Sequence, residues 1–312
     1  MFIGLDIGGT GIDAGLVTRQ GELVTRAYAP VSPSDGQDEL IGKLRRLALE
    51  VARGCDEIEG IGVGVPGAVD GAAGRVLFTS NLPLGGADLG AAFKKDFGND
   101  MPVYLDNDAN CAALGEARAP GREAVRHMVF VTIGTGLGGG IIIDGKPYGG
   151  FNGAAGEIGH VAIARGGREC PCGRRGCWEQ YASATGIVLS AREAMEADRS
   201  SAMWKLVGGD LSRLSAKTPF DAARAGDATA TAVVREFLDV LAFGLTNLVN
   251  TFQPELLVLG GGVSREGDDL YLNPLRELVA RDEFRHGGAR CRLEKAVLGA
   301  DAGVIGAALL GR

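Results

Sequence analysis

FIGLDIGGTGIDAGLV (residues 2–17) and MVFVTIGTGLGGGIIIDG (residues 128–145) share one plan: a β-rich run, a glycine-rich turn, a second β-rich run. In the first copy Phe2 to Asp6 reads as a strand, and Gly8-Gly9-Thr10-Gly11 is too rich in glycine for a strand interior. Ala14–Thr18 and Glu22–Ala29 continue as strands around a Gln20-Gly21 turn. In the second copy Met128–Ile133 is a strand, Gly134–Gly140 a loop, and Ile141–Asp144 a strand turning at Gly145. Between the copies, Asp38–Arg53 carries apolar residues at 40, 41, 44, 47, 48 and 51, a helical stripe. Ile58–Val65 and Pro102–Leu105 read as strands, and Ala109–Ala117 as a helix. The plan restarts after Pro120-Gly121. Beyond the second copy, Ser183–Ala197 and Thr229–Phe252 read as helices and Glu255–Leu259 as a buried strand. Gly260-Gly261-Gly262 is a third glycine loop, Arg292–Leu298 the last strand and Ala302–Leu310 a closing helix.

A chain of 312 residues exceeds the size at which one hydrophobic core keeps growing, so two lobes are expected. A hydrophobic content of 46% with 23% charged residues describes an ordinary globular protein. The net charge of −7 and pI near 5.2 argue against a nucleic-acid or anionic-membrane surface. No basic segment leads into an apolar one near Met1, and no apolar run is long enough to span a bilayer. A cytoplasmic location is expected, where thiols stay reduced. The 51 glycines are clustered, which points to places where backbone approaches a ligand closely.

Asp6-x-Gly8-Gly9-Thr10 sets a carboxylate at a strand end beside a turn whose N–H groups and Thr10 hydroxyl suit phosphate oxygens. A plain hairpin turn is the alternative. Gly134-Thr135-Gly136-Leu137-Gly138-Gly139 has the letters of a dinucleotide fingerprint, but a strand rather than a helix follows, so a phosphate cradle is favoured over a Rossmann site. No GxxxxGK[ST] is present, which excludes a P-loop. Asp106-Asn107-Asp108 ends a strand and precedes a helix, where a carboxylate is placed to act as general base on a substrate hydroxyl. The alternative there is a helix N-cap. Phosphate-type loops with several carboxylates describe a kinase acting on a hydroxyl. Its donor needs Mg²⁺, for which Asp6 is the anchor, through water. Glu157, Glu179, Asn107 and Asn81 suit recognition of sugar hydroxyls.

GEIGHVAIARGGRECPCGRRGCWEQYAS (residues 156–183) holds His160, Cys170, Cys172 and Cys177, three thiolates and an imidazole at the spacing of a closed structural zinc site. Four protein ligands leave no open position, so a catalytic zinc is not expected. Cys55, Cys111 and Cys291 lie far apart and read as small core residues.

The segments DIGGT (6–10), NDAN (107–110), GTGLGGG (134–140), GEIGH (156–160), CPCGRRGCWE (170–179) and LGGG (259–262) together resemble the ROK family of bacterial sugar kinases and repressors. The resemblance runs in order from residue 3 to about residue 306. It implies an α/β, two-lobed, actin-like ATPase (ribonuclease-H-like) fold, each lobe a mixed sheet with flanking helices. Residues 1–118 would form a small lobe on which the closing helix 301–312 packs. Residues 119–300 would form a larger lobe with the zinc loop 160–177.

The implied activity is ATP-dependent phosphorylation of a hexose, glucose first, with Asp108 as the base. Fructose, mannose, allose and N-acetylmannosamine kinases share most of the pattern. Asn81, Asn107, Asp108, Glu157, His160 and Glu179 would bind the sugar, His160 also ligating zinc through its other nitrogen. Gly8, Gly9, Thr10, Thr135 and Gly136 would hold the phosphates, with Gly261 and Gly262 near the adenosine. No lysine or arginine stands in the glycine-loop motifs, so charge neutralisation is assigned mainly to Mg²⁺ and backbone dipoles. A homodimer is implied by analogy. The family's repressors carry a DNA-reading module ahead of the DIGGT strand, which here begins at residue 2, so the kinase is the stronger expectation.

Overall fold

The computed structural model describes residues 1–79, 82–284 and 288–312. The chain divides into two compact units. The first is Met1–Phe130 with Gly140–Gly156 and Val297–Arg312; the second is Val131–Gly139 with Glu157–Ala296.

The N-terminal part supplies β1 (Phe2–Ile7), β2 (Gly11–Val17), β3 (Leu23–Pro30), α1 (Gln37–Val51) and β4 (Gly60–Val65). There follow β5 (Gly67–Asp70), β6 (Arg75–Thr79), α2 (Leu89–Phe97), β7 (Val103–Asn107) and α3 (Asp108–Ala117). Five strands pair in the order β3-β2-β1-β4-β7. β1 runs antiparallel to β2 and parallel to β4, which is itself parallel to β7. The all-apolar reading of β4 matches its burial on both faces, as central parallel strands require. Helix α1 buries Leu40, Leu44, Leu47, Ala48 and Val51, the stripe expected from its spacing.

β8 (Met128–Ile133), β9 (Leu137–Ile143) and β10 (Lys146–Pro147) come next, and then a run of helices. These are α4 (Glu179–Ala182), α5 (Ala184–Ala197), α6 (Met203–Leu206), α7 (Lys217–Arg224) and α8 (Ala228–Phe252). β11 (Leu256–Gly260), α9 (Leu272–Asp282), β12 (Arg292–Lys295) and α10 (Ala302–Ala308) complete the chain. A second sheet has the order β10-β9-β8-β11-β12. Ser183 caps α5 by accepting from Gly186 N–H, and Asp227 caps α8 by accepting from Ala230 N–H. Among the described residues no helix is long and apolar enough to cross a membrane.

Two expectations need correction. The glycine loop expected over residues 134–140 ends at Gly136, because β9 begins at Leu137. Gly140 is a strand residue: a Cβ there would lie 2.4 Å from Ala109 O in α3, so its glycine reflects helix-on-strand packing. The last strand, expected to reach Leu298, stops at Lys295. Beyond it the N–H groups of Val297 and Leu298 leave the ladder and donate to the Glu116 carboxylate at 3.1 and 2.8 Å.

Helix α10 packs on β1, β4 and α3 with almost no side chain between the backbones. A Cβ on Gly62 would lie 1.7 Å from Ala307 O, one on Gly4 2.0 Å from Val304 O. On the other side, Gly306 would meet Cys111 O at 1.7 Å and Gly115 would meet Ala302 O at 2.2 Å. Gly62→Ala therefore forces backbone apart and is expected to cost about 3 kcal/mol, the upper end for overpacking. A urea titration should show a lower midpoint with an unchanged slope; an unshifted midpoint would contradict the packing.

Candidate active site and metal cluster

Two constellations of the expected site residues form, one in each unit. In the first unit Asp6 sits near the end of β1, followed by the Gly8-Gly9-Thr10 turn, where Gly8 N–H donates to Gly11 O at 2.8 Å. Gly9 and Thr10 are exposed. Asp108 begins α3 at the end of the adjoining parallel pair β4–β7. Gly64 of β4 is the floor beneath both acids: its Cβ would lie 3.2 Å from Asp6 Oδ1 and 3.4 Å from Asp108 Cα.

From above, Gly303 of α10 presses on the Asp6 carboxylate, leaving a Cβ there only 2.0 Å from Oδ2. Burial first, then the charges of Asp108 and Asp13, push Asp6 up to about 7. Asp13 is itself paired with Arg26.

Asn107 is the N-cap of α3. Its Oδ1 accepts from Ala109 N–H at 2.9 Å and Asn110 N–H at 3.4 Å, and its Nδ2 donates to Gly67 O at 3.2 Å. The capping alternative is therefore real, and one amide N–H of Asn107 is left over for a ligand. Asp106, to which the motifs assign no role, accepts from Asn107 N–H at 2.7 Å and from Asn110 Nδ2 at 2.9 Å. It orients the turn that presents Asp108. Asn81 lies outside the described residues.

In the second unit His160, Cys170, Cys172 and Cys177 place their ligand atoms within 4.8 Å of one another. Tetrahedral zinc with Zn–S near 2.3 Å and Zn–N near 2.0 Å demands S···S of about 3.8 Å and S···N of about 3.5 Å. Cys172 and Cys177 are 3.7 Å apart, and Cys170 Sγ is 3.6 Å from His160 Nδ1. The donor set fits zinc, with Nδ1 as the ligating nitrogen. Nε2 is then left facing Glu157, 4.0 Å from its carboxylate. Gly176, at φ 79° with Ala164 O 1.7 Å from any Cβ, lets the knuckle close. Between Cys177 and Glu179, Trp178 is buried against Gly244 of α8 and donates to Val240 O at 3.1 Å.

Glu179 starts α4 and reaches the glycine loop, accepting from Leu137 N–H at 2.9 Å. Thr135 and Gly134, at the other end of that loop, line a cavity of about 740 Å³. Gly262 lines it too, and Gly261 (φ 85°) sits where a Cβ would meet Ile133 O at 2.4 Å. Phe220 gives the cavity an apolar wall, and Lys217, Arg224 and Arg265 bring cationic groups that the glycine-loop motifs lack. Arg224 is shared between Asp221 and Glu266, another lining residue. These residues come from α7 and the turn after β11 and share no local pattern, so spacing could not flag them.

The glucokinase of Halalkalibacterium halodurans is 37% identical to this chain over 310 residues, 98% of this chain and 93% of that one. The structure of a Streptomyces griseus ROK glucokinase with glucose and AMPPNP matches with a TM-score of 0.79 and 35% identity, covering 98% and 97% of the two chains. The xylose repressor of Caldicellulosiruptor bescii is 30% identical over 289 residues, 91% of this chain and 71% of that one. The fold is accordingly the mixed α/β, actin-like one of these kinases. Residues 2–312 match the ROK family, and the chain belongs to it.

Proposed function

We propose that this ROK sugar kinase transfers the γ-phosphoryl group of ATP to the 6-hydroxyl of glucose. The observation that carries the reading is the convergence of Asp108 and Asp6 over Gly64, at the edge of a strand-and-turn phosphate loop. Glucose as the sugar is supported by the glucokinase relatives.

Asp108 takes the proton of the attacking hydroxyl as the sugar oxygen bonds to phosphorus and ADP leaves on the opposite side. The Asn107 cap and the Asp106 bonds hold its turn rigid, so no further ordering is required during reaction. Glu157, Glu179, the leftover N–H of Asn107, His160 Nε2 and Asn81 bind sugar hydroxyls. Gly8, Gly9, Thr10, Thr135 and Gly136 hold phosphates, and Gly261 and Gly262 flank the adenosine. Asp6 would hold Mg²⁺ through water, and the ion when bound offsets the charge of the donor phosphates. His160, Cys170, Cys172 and Cys177 would hold zinc, which supplies rigidity to the loop carrying His160 and Glu179.

A homodimer without nucleic-acid or membrane partners and a cytoplasmic location complete the proposal. The acidic net charge supports the lack of nucleic-acid partners, the thiol-rich cluster a reducing compartment, and the homodimer rests on family analogy.

ADP release measured across hexoses and N-acetylhexosamines should give glucose the highest kcat/KM. Activity confined to N-acetylmannosamine, or none at all, would overturn the reading. In the same assay Asp108→Asn is expected to lower kcat by roughly 10²–10⁴, the usual worth of a general base; near-normal turnover would remove Asp108 from that role.

Metal analysis should find about one zinc per chain, as a closed four-ligand set holds one ion. Cys172→Ser should lose it, and an active wild-type protein without zinc would contradict the cluster.

Asp6 yields a pH signature. Its folded pKa lies above its ordinary value of 3.8, so its contribution to stability is fully present below pH 4. It falls as pH rises toward about 7 and is flat above. With magnesium chelated, Asp6→Asn should therefore melt higher than wild type at pH 8 and nearly equal to it at pH 4, while losing kinase activity. An equal offset at both values would mean that the carboxylate is not perturbed.

A further inference from the structure

The sugar loop and the phosphate loop of the second unit meet in one carboxylate. Glu179 Oε2 accepts from Leu137 N–H at 2.9 Å, and it lies so close to Gly136 that a Cβ there would be 2.3 Å from it. Gly159, next to His160, closes the same contact: its Cβ would lie 2.1 Å from Leu137 O and 3.4 Å from Glu179 Cβ. The loop is held at its other end by α5, since Ala184 N–H donates to Gly134 O at 2.9 Å and Thr185 Oγ1 donates to Thr135 O at 2.7 Å. The position of Thr135-Gly136 is thus set between α5 and the Glu179 carboxylate. Among the described residues the other oxygen of Glu179, Oε1, has only Gln180 Nε2 at 3.5 Å, at the limit of a hydrogen bond. It keeps acceptor capacity for a hydroxyl.

Resting on the reading of Glu179 as a sugar ligand, we infer that this carboxylate is also the positioning residue of the phosphate loop and couples sugar binding to nucleotide binding. A hydroxyl donated to Oε1 fixes the side chain, and Oε2 then fixes the Leu137 N–H and the peptides of Thr135 and Gly136 in front of it. Ordering imposed by the first ligand is not required again of the second, so each binds tighter in the presence of the other, by one and the same factor. The zinc cluster enters through geometry: Glu179 stands two residues beyond Cys177, with Trp178 between them locked against α8. The carboxylate is therefore anchored on a short, braced segment. Gly136 acquires a second reason to be glycine, independent of any phosphate, because a side chain there would displace Glu179.

The test is calorimetric titration of the zinc-loaded protein with glucose, with and without saturating AMPPNP and magnesium, and the reciprocal titration. In the wild type the glucose Kd should fall at least about five-fold with AMPPNP, and the AMPPNP Kd by the same factor with glucose, the lower end of ordinary coupling. Glu179→Asp, one methylene shorter, cannot reach both partners, and its coupling factor should fall to near one. Gly136→Ala should weaken glucose binding measured without nucleotide, an effect that a residue serving phosphates alone would not produce. Zinc content and melting temperature identify an unfolded variant, and Glu179→Asp carries the test if Gly136→Ala does not fold. Independent binding of the two ligands to wild type overturns the inference, as does full coupling in Glu179→Asp; neither touches the kinase assignment, which ADP release reads separately. A wild type that binds no hexose overturns both.

Discussion

The backbone-to-backbone contact of α10 with β1, β4 and α3 is the constraint on which the first unit depends. Gly4, Gly62, Gly115 and Gly306 each stand where a methyl group would collide with a carbonyl oxygen, at 2.2 Å or less. Dispersion falls steeply with separation, so helices and strands this close gain attraction that a layer of side chains would forfeit. The consequence reaches chemistry at once. α3 begins at Asp108, β1 carries Asp6, and Gly303 of α10 presses on the Asp6 carboxylate. The same packing that closes the unit strips water from one acid and faces it with another.

Charge is handled differently at the two ends of α3. At its C-terminal end Glu116 is fully buried, yet it is paired with Arg122 and accepts from the Val297 and Leu298 N–H groups. A buried charge so satisfied is a structural pin, fixing where the chain turns into α10. At the N-terminal end Asp6 has no such compensation among the described residues, and its pKa is pushed up to about 7. An uncompensated carboxylate at a strand end is what a cation would relieve, and that contrast separates structural acid from candidate functional acid.

The second unit carries its candidate ligand residues on a braced segment. Its 170–177 knuckle, with His160, sets four candidate ligand residues at zinc-compatible distances and is braced by Trp178 lying on Gly244. The Glu179 carboxylate hangs from that braced segment and ends on Leu137 N–H. A short chain of contacts thus joins the candidate metal cluster to the 134–136 loop and, through Gly134 and Thr135, to the cavity.

Local chemistry was legible in the sequence wherever residues that act together are neighbours in the chain. The Cys170, Cys172 and Cys177 spacing, the Asp106-Asn107-Asp108 turn, the DIGGT turn and the stripe of α1 all read correctly as elements or clusters, because strand, helix and ligand spacings are local. Three things were not legible. Gly138 to Gly140 looked like loop because a glycine needed for α3 to lie on β9 is indistinguishable, in sequence, from one needed for a turn. Asp106-Asn107-Asp108 offered a ligand or an N-cap, and which of the three residues caps is visible only once the Asn107 amide is placed. Lys217, Phe220, Arg224 and Glu266 converge on one cavity from α7 and a turn far along the chain, with no periodicity to link them. The sequence alone determined the family, the candidate metal set and the strand-turn-strand units, since these depend on neighbours along the chain. Tertiary structure alone decided which acid is satisfied and which is not, and that Glu179 touches the 134–136 loop. Burial, and contacts between distant segments, do not exist until the chain has folded.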